Sequence, residues 1–260
     1  MTVSTGAQNS SIQLSTPEQF KDDFVSVPCK NEERLAGVRS LFERAGASPA
    51  DITVDRYKNV ENVVVIKKGA SSQKIVIGAH YDKTSMGCGA VDNWTGIVTL
   101  AHLYGTLKDV LLKKTLIFVA FGKEEPGLIG SRAMVNAIDD AQLAEYCAMI
   151  NIDSLGLAAP QVGDNMSSKK LGQFAGELAT QMKMPFGHAS IYGADSDSSS
   201  FLAKKIPAVT IHGMTSEWRT ILHSSKDQAS RVNHVSVYLG YRLVLSMVAG
   251  LDQSDCAAYR

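Results

Sequence analysis

The stretch KIVIGA at residues 74–79 is followed directly by His80, Tyr81 and Asp82. Its continuous apolar character is typical of a strand that is buried on both faces of a sheet. Two further strands of this kind, TLIFVAF at 115–121 and CAMINI at 147–152, alternate with helical patterns along the chain. The alternation predicts an α/β fold, a three-layer α/β/α sandwich with a mixed, mostly parallel central sheet.

The remaining elements extend this pattern on both sides of the three strands. Strands are predicted at 52–57, 62–67 and 208–211, and helices at 31–45, 95–107, 130–137, 169–182 and 235–251. The polar residues 1–16 are expected to form a flexible N-terminal segment. Residues 17–260 are then expected to form a single domain.

The composition of the 260 residues restricts the classes of function. Hydrophobic residues make up 45% and charged residues 20%, which excludes wholesale disorder. Lys plus Arg equals Asp plus Glu at 26 each, and this balance argues against nucleic acid or an anionic membrane as a partner. No apolar run reaches the roughly 18 residues of a membrane span. The four cysteines stand singly, so one disulfide is possible, and the oligomeric state stays open.

Acidic and imidazole side chains follow the predicted buried strands. His80 and Asp82 follow the first, Glu124 and Glu125 the second, and Asp153 the third. In open α/β sheets, ligands bind at the carboxyl ends of the strands, so these side chains are expected to converge. Each one alone is a weak signal.

Two more segments add to this set. Asp92 lies in the Gly-rich loop GCGAVDNWTG at 87–96, and His223 opens HSSKD at 223–227. Two histidines and three carboxylates suit zinc, but they are too many for one catalytic zinc, which keeps three protein ligands and an open position. The set fits two metals that share one carboxylate and hold a hydroxide between them. The other histidines, His102, His188, His212 and His234, are interpreted as packed or surface residues.

These segments, in this order, resemble the co-catalytic zinc aminopeptidase family, metallopeptidase family twenty-eight. The matching stretches are GAHYD at 78–82, GAVDNWTG at 89–96, EEPGLIGS at 124–131, NIDSLG at 151–156 and HSSKD at 223–227. A sixth, SDSSSF at 196–201, is similar except that Ser198 stands where the family usually has His. The resemblance covers roughly residues 74–227. It implies a zinc-exopeptidase-like fold, with 17–260 as the catalytic domain.

The resemblance also implies a role for each ligand. His80 would bind one zinc and His223 the other, with Asp92 bridging the two. Glu125 and Asp153 would each complete the shell of one metal. Two Zn²⁺ ions are therefore expected as cofactors, although other divalent metals can occupy similar ligands.

Two more carboxylates receive roles through the resemblance. Asp82 would orient the His80 ring without itself binding a metal. Glu124 would be the general base for the water or hydroxide between the metals. The implied reaction is hydrolysis of the N-terminal peptide bond of peptides with a free N-terminus. Side-chain preference and the direction of exopeptidase action are not readable from the sequence.

One position departs from the family pattern. Many family members have Tyr immediately before the late His, where its hydroxyl helps stabilise the oxyanion, but here that position is Leu222. The loss of one oxyanion donor typically costs a factor of about 100 to 1000 in rate. Either Tyr192 or a zinc serves instead, or activity is modest.

Two alternatives stay open. Glutaminyl cyclases share the fold and an HYD triplet like that at 80–82, and act as acyltransferases on a one-zinc variant of the site. A metal-free binding module on the same fold is the other alternative. The sequence as written carries no signal peptide, and secretion or a periplasmic location follows from the resemblance only if a signal was removed.

Overall fold

The computed structural model describes residues 12–260, which form one eight-stranded sheet covered by helices. The strands are β1 (Ile52–Tyr57), β2 (Val60–Lys67), β3 (Lys74–His80), β4 (Thr115–Phe121), β5 (Tyr146–Ile152), β6 (Gln161–Gly163), β7 (Gly187–Ala189) and β8 (Ala208–His212). The helices are α1 (Pro17–Phe24), α2 (Asn31–Arg44), α3 (Thr95–Leu107), α4 (Ile129–Asn136), α5 (Lys169–Gln181), α6 (Ser198–Ala203) and α7 (His234–Gln253).

The sheet order is β1-β2-β4-β3-β5-β8-β6-β7. The central strands β4, β3, β5 and β8 are parallel to one another, whereas β2 pairs antiparallel with β1 and β4, and β6 pairs antiparallel with β8 and parallel with β7. The predicted mixed, mostly parallel sheet is confirmed. Because the central strands run the same way, their carboxyl ends lie along one edge of the sheet.

Helices cover both faces of the sheet, as a three-layer sandwich requires. One face carries a large apolar core to which α1, α2, α3, α5 and α7 contribute. The other face carries a smaller core, to which Met134 and Val135 of α4 and Phe201 of α6 contribute. Side chains alternate along a strand, so β3 supplies Ile75 and Ile77 to the larger core and Val76 to the smaller one.

The predicted elements lie within one or two residues of the observed ones, but the helices and strands predicted above do not include α1, α6, β6 or β7. The strands β6 and β7 have three residues each, too few to show a period. The sequence did contain a signal for α1. Thr16 and Gln19 form a capping box, and Pro17 occupies the first turn.

Most of the predicted flexible segment lies outside the described residues, which begin at residue 12. Within the described part, the backbone N–H of Ser15 donates to the hydroxyl of Tyr241 at 3.2 Å. By length and composition, α7 is apolar enough to cross a membrane. This is weak evidence, because a core helix passes the same test, and α7 packs against α1, α3 and α5.

The structure pairs all four cysteines, so the expectation of a single possible bridge was too low. One disulfide joins Cys29 to Cys88, and the other joins Cys147 to Cys256. The pairing depends on contacts between residues 59 and 109 positions apart, which spacing alone does not reveal.

Candidate metal centre

The parallel strands bring three of the predicted segments to the same edge. His80 is the last residue of β3 and pairs in register with Phe121, the last residue of β4. Asp153 follows β5 directly, and Glu124 and Glu125 lie three and four residues beyond β4. The ring Nε2 of His80 lies 3.6 Å from Oδ1 of Asp153.

Asp92 lies between the two histidines and contacts each with a different oxygen. Its Oδ1 is 3.1 Å from Nε2 of His80, and its Oδ2 is 3.0 Å from Nε2 of His223. His223 also lies 3.1 Å from Oε2 of Glu125. The five predicted ligands therefore form two groups that share the Asp92 carboxylate.

The spacing of these atoms fits a divalent cation of the zinc type. Ligand atoms around a tetrahedral zinc lie roughly 3.3 Å apart, because each is about 2.0 to 2.1 Å from the metal. The contacts within the two groups are 3.0 to 3.6 Å. His80, Asp92 and Glu125 each offer a ligand atom within 4.8 Å of the others. Oε1 of Glu125 is buried without a hydrogen-bond partner among residues 12–260, as expected of a group that binds a cation.

The charges of the cluster also favour a cation. Burial by itself lowers the pKa of His80, but Glu124 and hydrogen bonds to Asp153, Asp82 and Asp92 raise it well above its ordinary value. Hydrogen bonds to Asp92 and Glu125 raise the pKa of His223 to about 10. The excess of carboxylates thus favours the protonated form of both imidazoles. A divalent cation can replace those protons.

Glu124 lines the same cleft, but no hydrogen bond or ion pair joins its side chain to another of the described residues. Burial raises its pKa to about 10, although the nearby His80 opposes this effect. Asp197, Asp153 and Asp92 add to the increase because they carry like charge. A cation at the cluster would favour the ionised form of Glu124.

Asp82 acts on the site by a route that the sequence did not reveal. Its carboxylate oxygens accept hydrogen bonds from the backbone N–H groups of Glu124 at 2.8 Å and Glu125 at 3.1 Å. Nδ1 of His80 lies 3.1 Å from the backbone carbonyl of Asp82 and 3.7 Å from its carboxylate. The carbonyl therefore fixes the ring so that Nε2 faces Asp92, while the carboxylate fixes the loop that carries both glutamates.

Two residues inside the quoted motifs hold the Asp92 loop in place. The Asp227 carboxylate accepts hydrogen bonds from the N–H groups of Val91 at 2.7 Å and Asp92 at 3.1 Å. The Asn93 side chain donates to the carbonyl of Ile152 at 2.8 Å and accepts from the N–H of Ser154 at 3.1 Å. These bonds join the Asp92 loop to the end of β5 and to the His223 segment. Sequence reasoning gave neither residue a role, although Asn93 directly follows Asp92 and Asp227 ends the HSSKD stretch that begins at His223.

Arg34 of α2 is fully buried beneath the site, with 0% of its surface exposed. Its guanidinium donates to four backbone carbonyls and lies 4.9 Å from the centre of the Trp94 ring. The carbonyl partners are those of Pro28, Tyr81, Cys88 and Gly89. Burial lowers the pKa of Arg34 to about 10, so the group stays charged at neutral pH. An arginine in a helix normally faces solvent, and the sequence held no signal for this position.

The sixth motif lies under the cleft. Asp197 is fully buried, and neither carboxylate oxygen has a hydrogen-bond partner among the described residues. Burial raises its pKa to about 7. Ser198, at the position of the family's histidine, hydrogen-bonds to the carbonyl of Met166 and the hydroxyl of Thr210. Sequence reasoning left Asp197 without a catalytic or metal-binding role.

The cluster lies in a cleft of about 610 Å³. Part of its wall is apolar, formed by Met166, Met214 and Leu222, which belong to one hydrophobic cluster. Leu222 therefore contributes packing at the position where the family's tyrosine was expected. Tyr192, the alternative oxyanion donor, is 79% exposed and does not line this cleft.

The sequence of the chain matches the family model of Peptidase family M28 over residues 62–247. The chain belongs to this family. The matched range contains all seven predicted site residues, from His80 to His223.

The chain is also similar in sequence to named relatives and in fold to solved structures. The probable leucine aminopeptidase 2 of Trichophyton verrucosum is 28% identical over 187 residues, covering 65% of this chain and 38% of that protein. The chain thus spans less than two fifths of that relative. A zinc aminopeptidase from Bacillus subtilis superposes with a TM-score of 0.68 at 21% identity, covering 76% of this chain and 52% of the other. A glutaminyl cyclase from an Acidobacteriales bacterium superposes with a TM-score of 0.77 at 16% identity, covering 97% and 99%.

Proposed function

We propose that this M28 chain is a di-zinc aminopeptidase that removes the N-terminal residue from peptides with a free N-terminus. The observation that carries the proposal is the position of Asp92, whose two oxygens contact different histidines at 3.1 and 3.0 Å. One carboxylate shared in this way supports two adjacent metal sites. The names of the relatives, leucine aminopeptidase and zinc aminopeptidase, support the same reaction.

The two donor groups support a separate set of ligands for each proposed metal. His80, Asp92 and Asp153 would hold one zinc, while Asp92, Glu125 and His223 would hold the other. When bound, zinc lowers the pKa of a water molecule and polarises a carbonyl group. The buried backbone bonds of Asp82, Asn93 and Asp227 keep the ligands in position before any metal binds.

Glu124 would move the proton in this reaction. Its side chain faces the cleft and makes no bond that would compete with a water molecule. In its ionised form it can accept the proton of the attacking water and then pass that proton to the leaving amine. Leu222 offers no hydroxyl to the developing oxyanion, so a rate below that of relatives with tyrosine is expected.

The test combines zinc titration with hydrolysis of a panel of amino-acid p-nitroanilides. Two zinc ions per chain and zinc-dependent turnover are expected. Glu124→Gln should lower kcat by about 100-fold or more while two zinc ions still bind. Glu177→Gln, on the exposed side of α5, is the matched control and should retain full turnover. A Glu124→Gln protein as active as the parent would remove Glu124 from the proton-transfer role.

A glutaminyl cyclase-like acyltransferase is the second candidate. It is favoured by one observation, the superposition on a glutaminyl cyclase over 97% of this chain and 99% of the other. The complete second donor group, with Glu125 and His223 at 3.1 Å, favours the peptidase. Release of ammonia from a peptide with N-terminal glutamine, together with one bound zinc, would reverse this choice.

A further inference from the structure

Two arginines line the cleft that contains the metal cluster. Arg132 lies on α4, and Arg219 lies in the loop between β8 and α7. Both side chains are exposed to solvent. Among residues 12–260, neither has an Asp or Glu oxygen within 4.0 Å. The cleft therefore carries two guanidinium charges that the described residues leave without a counterion.

Arg219 is held in place by contacts that leave its charge available. Its guanidinium stacks 4.5 Å from the centre of the Trp218 ring, and its Nη2 donates to the backbone carbonyl of Tyr192. A guanidinium has five N–H donors, so most of them remain free for a ligand. An arginine fixed in this way loses less conformational freedom when it binds an anion.

Arg132 lines the cleft from helix α4, whereas Arg219 lines it from the loop between β8 and α7. Its backbone N–H donates to the carbonyl of Leu128 at 3.0 Å, and Leu128 also lines the cleft. The side chain of Arg132 makes no hydrogen bond to another described residue, unlike that of Arg219. It is free to rotate toward a bound molecule.

Asp195 also lines the cleft, and its carboxylate accepts hydrogen bonds from its own loop. Oδ1 of Asp195 accepts a hydrogen bond from the backbone N–H of Ser196 at 2.9 Å and another from the hydroxyl of Ser199. Asp195 therefore bonds to neighbouring groups of its own loop, and it forms no ion pair with Arg132. The apolar wall formed by Met166, Met214 and Leu222 offers no place for a charged group, so apart from the proposed metals the two arginines are the groups of the cleft that can bind an anion.

We infer that Arg132 and Arg219 bind a carboxylate of the substrate, so that the preferred substrates are short or acidic peptides. Guanidinium groups bind carboxylates through paired, charge-assisted hydrogen bonds. This inference rests on the proposed peptidase function. The carboxylate has two possible sources, the C-terminus of a dipeptide or the side chain of a Glu or Asp close to the cleaved bond.

The experiment compares substrates that differ by one charge. The first pair is Leu-Ala with its amide, which tests the C-terminal carboxylate. The second pair is Leu-Glu-amide with Leu-Gln-amide, which tests the side chain. In at least one pair the charged peptide should have a kcat/KM about tenfold higher through a lower KM, since a charge-assisted hydrogen bond has about that effect. The pair that shows the difference identifies the source.

The variants Arg132→Gln and Arg219→Gln should each bring the charged-to-neutral ratio of kcat/KM toward one. The ratio is insensitive to loss of folded or zinc-loaded protein, because both substrates meet the same enzyme preparation. Arg56→Gln is the matched control, since Arg56 is an exposed arginine on the edge strand β1 that pairs with Glu61 and does not line the cleft. It should leave the ratio unchanged. Calorimetric affinities of Leu-Ala and its amide for the Glu124→Gln protein give a second readout that needs no turnover.

Two outcomes would overturn the inference separately from the proposed function. Ratios near one in the parent protein for both pairs, with Leu-p-nitroanilide hydrolysed normally, would remove only the carboxylate preference. A charged-to-neutral ratio above one in the parent that neither Arg132→Gln nor Arg219→Gln changes would likewise remove only the role of the arginines. If the zinc-loaded protein hydrolyses none of these substrates, the proposed function fails and the inference fails with it.

Discussion

The carboxylate of Asp82 accepts a hydrogen bond of 2.8 Å from the backbone N–H of Glu124. Its second oxygen accepts from the N–H of Glu125, so one side chain positions both the proposed base and a proposed ligand. The loop after β4 therefore depends on a residue that follows β3. The two strands are neighbours in the sheet, which is why the contact is possible.

Asp82→Asn should weaken catalysis more than folding. The asparagine amide can accept one of the two backbone hydrogen bonds, but its NH₂ group would face the other N–H. We expect kcat for an aminoacyl p-nitroanilide and zinc affinity to fall by about 10- to 100-fold, as for other residues that support metal ligands. Steady-state kinetics and zinc titration measure these effects. Asp55→Asn, on the exposed face of β1, should change neither, and an Asp82→Asn protein with parental kcat and zinc affinity would contradict the role of Asp82.

Arg34→Met should be among the most destabilising substitutions in the chain. It removes the donor to four backbone carbonyls, and of these only the Gly89 carbonyl has a second donor among the described residues, the N–H of Trp94 at 3.1 Å. We expect the free energy of unfolding to fall by about 3 to 5 kcal/mol in urea denaturation. Arg39→Met on the same helix removes a single 3.4 Å hydrogen bond and should cost less than about 1 kcal/mol. Equal losses in the two variants would show that the buried guanidinium has no special part in stability.

The two disulfides should have different effects on the metal centre. Cys88 lies four residues before Asp92, and its N–H donates to the carbonyl of Asp227 at 2.8 Å. The double variant Cys29→Ser with Cys88→Ser should therefore lose both stability and zinc affinity.

The other bridge provides the control for this prediction. Replacement of Cys147 and Cys256 by serine removes the longer loop, of 109 residues, and should cost about 2 to 5 kcal/mol of stability with little change in zinc affinity. Thermal unfolding and zinc titration of the folded variants separate the two effects. Equal zinc affinity in both double variants would exclude a role of the Cys29–Cys88 bridge in holding the metal loop.

His212 should make the protein sensitive to acid. It is fully buried at the end of β8, and burial lowers its pKa to about 4, compared with about 6.5 in an unfolded chain. Between these two pH values the unfolded state binds the proton and the folded state does not. The free energy of unfolding should therefore fall as the pH drops from 6.5 to 4, by up to about 3 kcal/mol from this residue.

Urea denaturation at pH 7 and pH 4.5 tests this effect. His212→Asn keeps an acceptor for the backbone N–H of Met214, which donates to Nδ1 of His212 at 3.2 Å, and it should lose less stability on acidification than the parent. His234→Asn, at the start of α7, should behave like the parent. The other titrating groups act equally in all three proteins, so parallel pH profiles for His212→Asn and the parent would refute the prediction.

The sequence by itself determined the fold class and the family. Continuous apolar runs such as 74–79 and 147–152 are typical of strands buried on both faces of a parallel sheet, and the residues directly after parallel strands lie at one edge of the sheet. That reasoning led to His80, Glu125 and Asp153 as members of one group. It works because strand position and side-chain type are both local properties of the chain.

The tertiary structure alone decided how the site is held together. The backbone bonds of Asp82, the burial of Arg34 and Asp197 and the pairing of the four cysteines all join residues far apart in sequence. In the sequence, an aspartate whose carboxylate accepts hydrogen bonds from two backbone N–H groups cannot be told from an aspartate that faces water. The difference is made by what the fold packs around it, and no local pattern of residues records that.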